Sequence, residues 1–238
     1  MLAEIKSRQN DKIKEIVKLS NTGYSREKQL FVVEGFHALT MGLIANVIKE
    51  LYTTTRLYEL PEEIDQYVVT EEIMEKISYS KSPQGILMVC KYLPVKPISS
   101  DRVLLLDNVQ DPGNLGTILR TALAFGYKDV VLLGGCSQYN EKVIAATQGA
   151  IFNLNICNSI NFDSLKDYEI LATEIKGSVE LSEVKPPKKH VLVLGNEAHG
   201  VSEKILSQAS KRIRIDISDI ESLNVAVAGA IAMYKLSN

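Results

Sequence analysis

The sequence predicts an α/β protein whose C-terminal part is a mainly parallel sheet covered by helices, preceded by a smaller α/β domain. Three observations carry this. Val103–Leu106, Val130–Leu133 and Val191–Leu194 are short, unbroken apolar runs, as expected of strands buried on both faces. They alternate with longer stretches of helical character, Leu115–Phe125 and Ser222–Leu236, which implies βα crossovers and parallel pairing. Before them, Leu93–Ser100 reads LPVKPISS, and its prolines and serines interrupt both periodicities, as a linker does. The expected division is therefore residues 1–92, a linker at 93–100, and residues 101–238.

In chain order, Ile13, Ile16, Val17 and Leu19 recur at near-helical spacing, predicting an amphipathic N-terminal helix with a basic outer face. Leu30–Val33 reads as a strand, Gly35–Ala45 as a helix and Glu50–Thr54 as a strand. Thr70–Ile77 reads as a helix capped by Thr70, and Gln84–Cys90 as a strand. Beyond the linker the order is strand Val103–Asp107, helix Leu115–Phe125, strand Asp129–Leu133 and a short helix around Val143–Ala146. Strands Leu171–Thr173 and Val191–Leu194, helix Val201–Ser207, strand Ile213–Ile217 and a closing helix Ser222–Leu236 complete it.

Of the 238 residues, 45% are hydrophobic and 24% charged, which is ordinary globular composition and excludes collagen-like, disordered and disulfide-scaffold classes. Lysine plus arginine total 27 against 29 acids, for a net charge of −2 and a pI near 6.0. That balance lacks the basic signature of many nucleic-acid-binding chains. The first 28 residues depart from it, with seven basic side chains against four acidic ones. Tryptophan is absent and aromatics are 6%, disfavouring a large base-stacking platform. Cys90, Cys136 and Cys157 are scattered, with no CxxC pair, so no metal site is expected. No apolar run could span a bilayer, and MLAEIKSRQNDK has no secretory apolar core. A cytoplasmic protein with no membrane partner is expected.

In a parallel sheet, ligands bind outside the carboxyl ends of the strands, and three such loops are unusual. The first is Asn108–Gly116, NVQDPGNLG, without the dinucleotide glycine fingerprint or a P-loop. Asn114 sits where a helix cap would, and Arg120 follows on the same helix; a plain cap and a solvated arginine explain both. The second is Gly195–Gly200, GNEAHG, where Glu197 is bracketed by glycines that allow close backbone approach. A turn with a solvated carboxylate explains it equally. The third is Glu221–Val225, ESLNV, where Ser222 is a candidate cap for the last helix. Together, three polar loops at one sheet edge define a pocket.

Asn114-x-Gly116-x-x-x-Arg120, Leu194-Gly195-Asn196-Glu197-x-x-Gly200 and Ser222-Leu223-Asn224-Val225 resemble, in order and spacing, the three motifs of the SpoU (TrmH) family of RNA ribose methyltransferases. The resemblance runs from about Val103 to the C-terminus. Val33-Glu34-Gly35 also resembles the family's N-terminal RNA substrate-binding domain. The resemblance implies a deep C-terminal trefoil knot, an exception to unknotted connections. It also implies S-adenosylmethionine as cofactor, a homodimer with the active site at the subunit interface, and methyl transfer to a ribose 2′-oxygen of RNA. Residue by residue, it implies catalytic or active-site roles for Asn114, Arg120, Glu197, Ser222 and Asn224. Gly195, Asn196, Arg214, Ile215 and Leu223 would bind the cofactor. One departure stands out: Arg214–Ser218 reads RIDIS, where the family usually has an apolar residue, proline and glycine.

A ribose hydroxyl becomes nucleophilic only as it loses its proton, and guanidinium stays protonated in proteins. A cationic Arg120 that orients the hydroxyl and stabilises the developing alkoxide is preferred over Arg120 as base, with Glu197 available to position it through an ion pair. The two-domain layout resembles that of the family's ribosomal RNA enzymes more than its minimal transfer RNA ones, which implies ribosomal RNA as the substrate. The competing readings are a transfer RNA ribose methyltransferase, a base methyltransferase, a nucleotide-using Rossmann-like enzyme, and a non-catalytic RNA-binding module with a decayed pocket.

Overall fold

A computed structural model describes residues 2–238 of the chain. The elements are β1 (Leu2–Ile5), α1 (Asp11–Lys18), α2 (Thr22–Lys28), β2 (Leu30–Glu34), α3 (Phe36–Ala45), β3 (Ile48–Thr53), β4 (Asp65–Val69), α4 (Glu71–Ile77) and β5 (Ile86–Lys91). Then follow β6 (Arg102–Asp107), α5 (Pro112–Ala124), β7 (Asp129–Leu133), α6 (Glu141–Thr147), β8 (Asn155–Cys157), β9 (Glu169–Thr173) and β10 (Val179–Glu180). The chain closes with β11 (His190–Leu194), α7 (Glu203–Leu206), β12 (Lys211–Arg214) and α8 (Val225–Ser237). Two compact units result. One holds the chain up to Leu93 together with Ser137–Phe152, the other Pro94–Cys136 and Asn153–Asn238.

The first unit is a five-stranded sheet in the order β1-β4-β3-β5-β2. Side chains alternate across it, as strand geometry requires. Leu30, Leu87 and Val89 face a cluster formed with Ile13, Ile16 and Leu19 of the α1 region and Ile73, Met74 and Ile77 of α4. The alternate residues Phe31, Met88 and Cys90 are also buried, and Ser137–Phe152 covers the strand that carries Phe31. Phe31 lies 4.8 Å from the Tyr139 ring and 6.2 Å from that of Phe152, Tyr139 stacks on Tyr92 at 3.6 Å, and its hydroxyl accepts the Leu93 N–H. Ser137–Phe152, which lies within the expected span 101–238, therefore packs in the first unit. A sheet apolar on both faces needs two covers, and Ser137–Phe152, lying beyond β7 in sequence, supplies part of one.

The basic N-terminal segment is two helices rather than one. Asn10 and Asn21 each cap a helix through the side-chain oxygen, and α1 stops before a short turn at residues 19–21. Much of its charge is paired locally: Lys6 with Glu4, Lys12 with Glu50, Lys14 with Asp11 and Lys28 with Glu27. The edge strand β1 and strand β4 lack the apolar runs that mark the other strands, and both were missed by periodicity.

The second unit is a seven-stranded sheet in the order β10-β12-β9-β11-β6-β7-β8, with every pairing parallel. Its centre is the trio of apolar strands, with Val103–Leu106 in register with Val191–Leu194 on one side and with Asp129–Leu132 of β7 on the other. Each fully buried Val or Leu stabilises the fold by ~1.5–3 kcal/mol. β6 begins inside the sheet; the chain crosses first to β7 and β8, then returns to β9 beyond β11. The carboxyl ends around β6, β11 and β9 thus lie at a reversal of strand order, where parallel sheets bind ligands. Asp129 at the start of β7 anchors the linker, accepting the N–H groups of Ser99 and Ser100. Although burial opposes it, those bonds and the ones from Ser100 Oγ and Asn155 hold its carboxyl below the usual range.

Candidate functional site

The loops after β6 and β11 are locked by backbone contacts that allow little variation. Asn196 exchanges both backbone bonds with Gly200, each at 2.9 Å. Its side-chain oxygen accepts from Ala198 and His199, and its Nδ2 donates to the Asn108 carbonyl at 2.9 Å. Gly195 is enclosed by this turn: a Cβ there would lie 2.1 Å from the Gly200 carbonyl carbon and 2.2 Å from the Val201 nitrogen. Glycine at 195 is therefore a steric requirement. Asp107, at the end of β6, accepts the Ser202 N–H at 2.7 Å.

A polar chain then joins all three loops. Glu197 Oε1 accepts from Asp111 N at 3.2 Å and from Asn114 Nδ2 at 3.1 Å, and Oε2 accepts from Gln110 N at 3.3 Å. Asn114 Oδ1 accepts from Asn224 Nδ2 at 2.9 Å. Asn224 Oδ1 in turn accepts from Ala226 and Val227, capping α8. Each amide has one self-consistent orientation: Asn224 must present Nδ2 outward because its oxygen caps a helix, so Asn114 must offer oxygen to it and nitrogen to Glu197. Although partial burial opposes it, the bonds from Asn114 and the backbone hold the Glu197 carboxyl below its ordinary range.

Beside this chain lies a cavity of about 550 Å³ at the ends of β9, β11 and β12, within the size range of small-molecule sites. Ile175, Leu181, Ile213, Ile217, Leu223 and Ala232 give it apolar walls, and Glu174, Glu197 and Glu221 outnumber Arg214 among its charged lining residues. An elongated, partly apolar ligand bearing positive charge fits this lining. Among the described residues, no group of three or more His, Cys, Asp or Glu could hold a metal ion, and no helix is long and apolar enough to cross a membrane.

The family described as SpoU rRNA Methylase matches residues 101–234, over half of the chain. The chain belongs to the SpoU rRNA methylase family. Residues 10–88 match the MRM3-like substrate binding domain. The 23S rRNA (guanosine(2553)-2'-O)-methyltransferase RlmP of Bacillus subtilis is 30% identical over 246 residues, covering 99% of each chain. An AdoMet-bound rRNA methyltransferase from Sinorhizobium meliloti superposes with a TM-score of 0.88 at 26% identity, over 99% of this chain and 97% of that one. A TrmH-family protein from Porphyromonas gingivalis gives a TM-score of 0.85 at 30% identity, over 96% and 97%.

Of the residues expected from the SpoU motifs, Gly195, Asn196, Glu197, Arg214, Ile215, Ser222, Leu223 and Asn224 all line the cavity. Asn114 joins it through Glu197 and Asn224. Arg120 stands apart: it is exposed on α5 and makes no ion pair or hydrogen bond among the described residues, so the pairing with Glu197 does not form. Two capping assignments change. Asp111, not Asn114, caps α5, accepting the Asn114 N–H at 2.7 Å with Pro112 in the first turn. Asn224, not Ser222, caps α8; Ser222 is left exposed on the cavity wall. The strand expected at Ile213–Ile217 stops at Arg214, and the departing RIDIS stretch turns into the cavity wall instead, with Arg214 Nη1 donating to the Ser178 carbonyl at 2.6 Å. Sequence reasoning missed Thr173, Glu174 and Ile175, which follow β9 into the cavity. The rule that found the other loops, carboxyl ends of parallel strands, would have found these.

Proposed function

We propose that this SpoU protein transfers a methyl group from S-adenosylmethionine to a ribose 2′-hydroxyl of ribosomal RNA in the cytoplasm. The observation that carries the reading is the Glu197–Asn114–Asn224 chain, which ties three distant loops around one glycine-floored cavity. The residues present suit the cofactor: Gly195, Asn196, Arg214, Ile215 and Leu223 would hold it largely through backbone atoms, and the excess of carboxylates suits its positive charge. When bound, S-adenosylmethionine supplies an electrophilic methyl group on a sulfonium. Asn114 and Asn224 hold the neighbouring loops rigid at the cavity edge, so that the hydroxyl meets a fixed geometry.

Arg120 lies six residues beyond Asn114, about 9 Å further along α5. Its guanidinium keeps its proton, so its role is to grip the substrate phosphate and stabilise the oxygen as its proton leaves. An arginine outside its own cavity suits a homodimer in which it serves a site completed by a second copy. The apolar stripe on α8 supports that arrangement: Val227, Ile231 and Tyr234 are 49%, 40% and 62% exposed and share one helical face. The trefoil knot belongs to the same reading, supported by α8 returning from β12 to pack on α5 and β11.

The test is incubation of the purified protein with labelled S-adenosylmethionine and unmodified ribosomal RNA, then nuclease mapping and mass spectrometry. A single 2′-O-methylated nucleotide in large-subunit RNA is expected. Label in a base, or in transfer RNA alone, would overturn the assignment.

A further inference from the structure

The first unit contains a second cavity, of about 360 Å³, that the reaction above does not use. It opens where β2 ends and β5 begins. Glu34, Gly35, Ser80, Gln84 and Gln148 give it a polar interior. Its walls are built rather than incidental. Gly35 has φ +101°, and a Cβ there would lie 3.3 Å from Gln84 Oε1, the same oxygen that accepts the Phe36 N–H. Glu34 accepts the Tyr79 N–H, while its own N–H donates to the Tyr79 hydroxyl, so strand and loop hold each other.

Charge is distributed in a particular way. No lysine or arginine lines the interior, and Glu34 makes it unfavourable for a phosphate. Two lysines lie at the rim: Lys142 lines, together with Glu141, the hollow that adjoins the cavity at Tyr79 and Ala145, and Lys81 falls between the lining residues Ser80 and Ser82. Both lysines are exposed and make no ion pair among the described residues. Phe36, beside Gly35, is 49% exposed. A hydrogen-bonding interior with one carboxylate, lysines at the mouth and an aromatic ring nearby is complementary to one nucleotide, base inward and phosphates outward.

We infer that this cavity is a subsite for one unpaired, amino-bearing base of the substrate RNA, distinct from the nucleotide that is methylated. The carboxylate and amides meet the donors and acceptors on the base edge, Lys81 and Lys142 meet its flanking phosphates, and Phe36 offers a stacking face. The inference rests on the RNA methyltransferase reading and adds a point of RNA selection to it.

The experiment compares the full-length protein with Ala145→Tyr, which fills the cavity mouth, and with the surface variant Lys81→Ala/Lys142→Ala. The probe is in vitro transcribed 23S rRNA, used in filter binding and as methyl acceptor. Ala145→Tyr should weaken RNA binding and raise the KM for RNA roughly tenfold, with the KM for S-adenosylmethionine and calorimetric cofactor binding unchanged. The lysine variant, which leaves the folded core untouched, should weaken RNA binding and lower its salt dependence. Wild-type RNA affinity in both variants overturns the subsite, as does wild-type affinity in the lysine variant alone if Ala145→Tyr fails to fold. A wild-type protein that binds the transcript without methylating it defeats the functional reading instead, and the binding comparison then still decides the subsite.

Discussion

Arg120 and Glu197, the two charged residues of the proposed active site, do not touch. Arg120 is free on an exposed helix face, whereas Glu197 is committed to three donors from the loop after β6. Arg120→Ala should therefore abolish methyl transfer while cofactor affinity, measured by calorimetry, stays near wild type; unchanged turnover on the true RNA would remove Arg120 from the mechanism. Glu197→Gln should act differently. Glutamine offers one acceptor oxygen, and its NH₂ would face a backbone N–H, so one donor of the loop loses its partner. A fall in kcat of roughly tenfold is expected, accompanied by loosening of the cavity. Because the native carboxyl is held below its ordinary range, its contribution is present above the unfolded-state value and is lost as pH falls through the depressed one. Wild-type activity should show that acid limb, and the Gln variant should lack it.

Helix ends decide much of the second unit. Arg102, at the start of β6, donates to the Phe125 carbonyl at 3.1 Å and the Ser237 carbonyl at 2.9 Å, joining the C-terminal ends of α5 and α8. Those carbonyls have no partner within their helices and carry the negative end of the helix dipole. Arg102→Ala should cost ~2 kcal/mol, read as a lower urea midpoint with an unchanged slope. α8 also packs closely on β11 because it presents a glycine there: a Cβ on Gly229 would lie 2.6 Å from Leu194 Cδ1. Apolar periodicity located α8 but not its start, since Ser222 and Asn224 are both good caps. Only the meeting with Asn114, 110 positions away in sequence, distinguishes them.

The whole molecule carries a net charge of −2, and the structure refines what that means for RNA. Four of the seven basic residues in the first 28 are paired with nearby acids, leaving a smaller local field than the sequence suggests. Binding is then expected to depend on a few placed cations more than on overall charge, with a correspondingly modest salt slope. Assembly is the other property of the whole. If the proposed homodimer forms through the α8 stripe, sedimentation should show dimers for the wild type and monomers for Ile231→Asp, which places a charge there, with methyl transfer lost and cofactor binding reduced. A dimeric and active Ile231→Asp would move the interface elsewhere.

Sequence by itself determined the parallel architecture and the residue types at its carboxyl edge, because strand burial and loop chemistry are written locally: VLLL, VVLL and VLVL are buried whatever they pair with. Tertiary structure decided which groups meet. Whether Asn114 caps a helix or bridges Glu197 and Asn224, and whether Ser137–Phe152 serves the first unit or the second, depends on contacts between segments far apart in the chain. Their entropy of closure is set by the whole fold, and no local pattern encodes it.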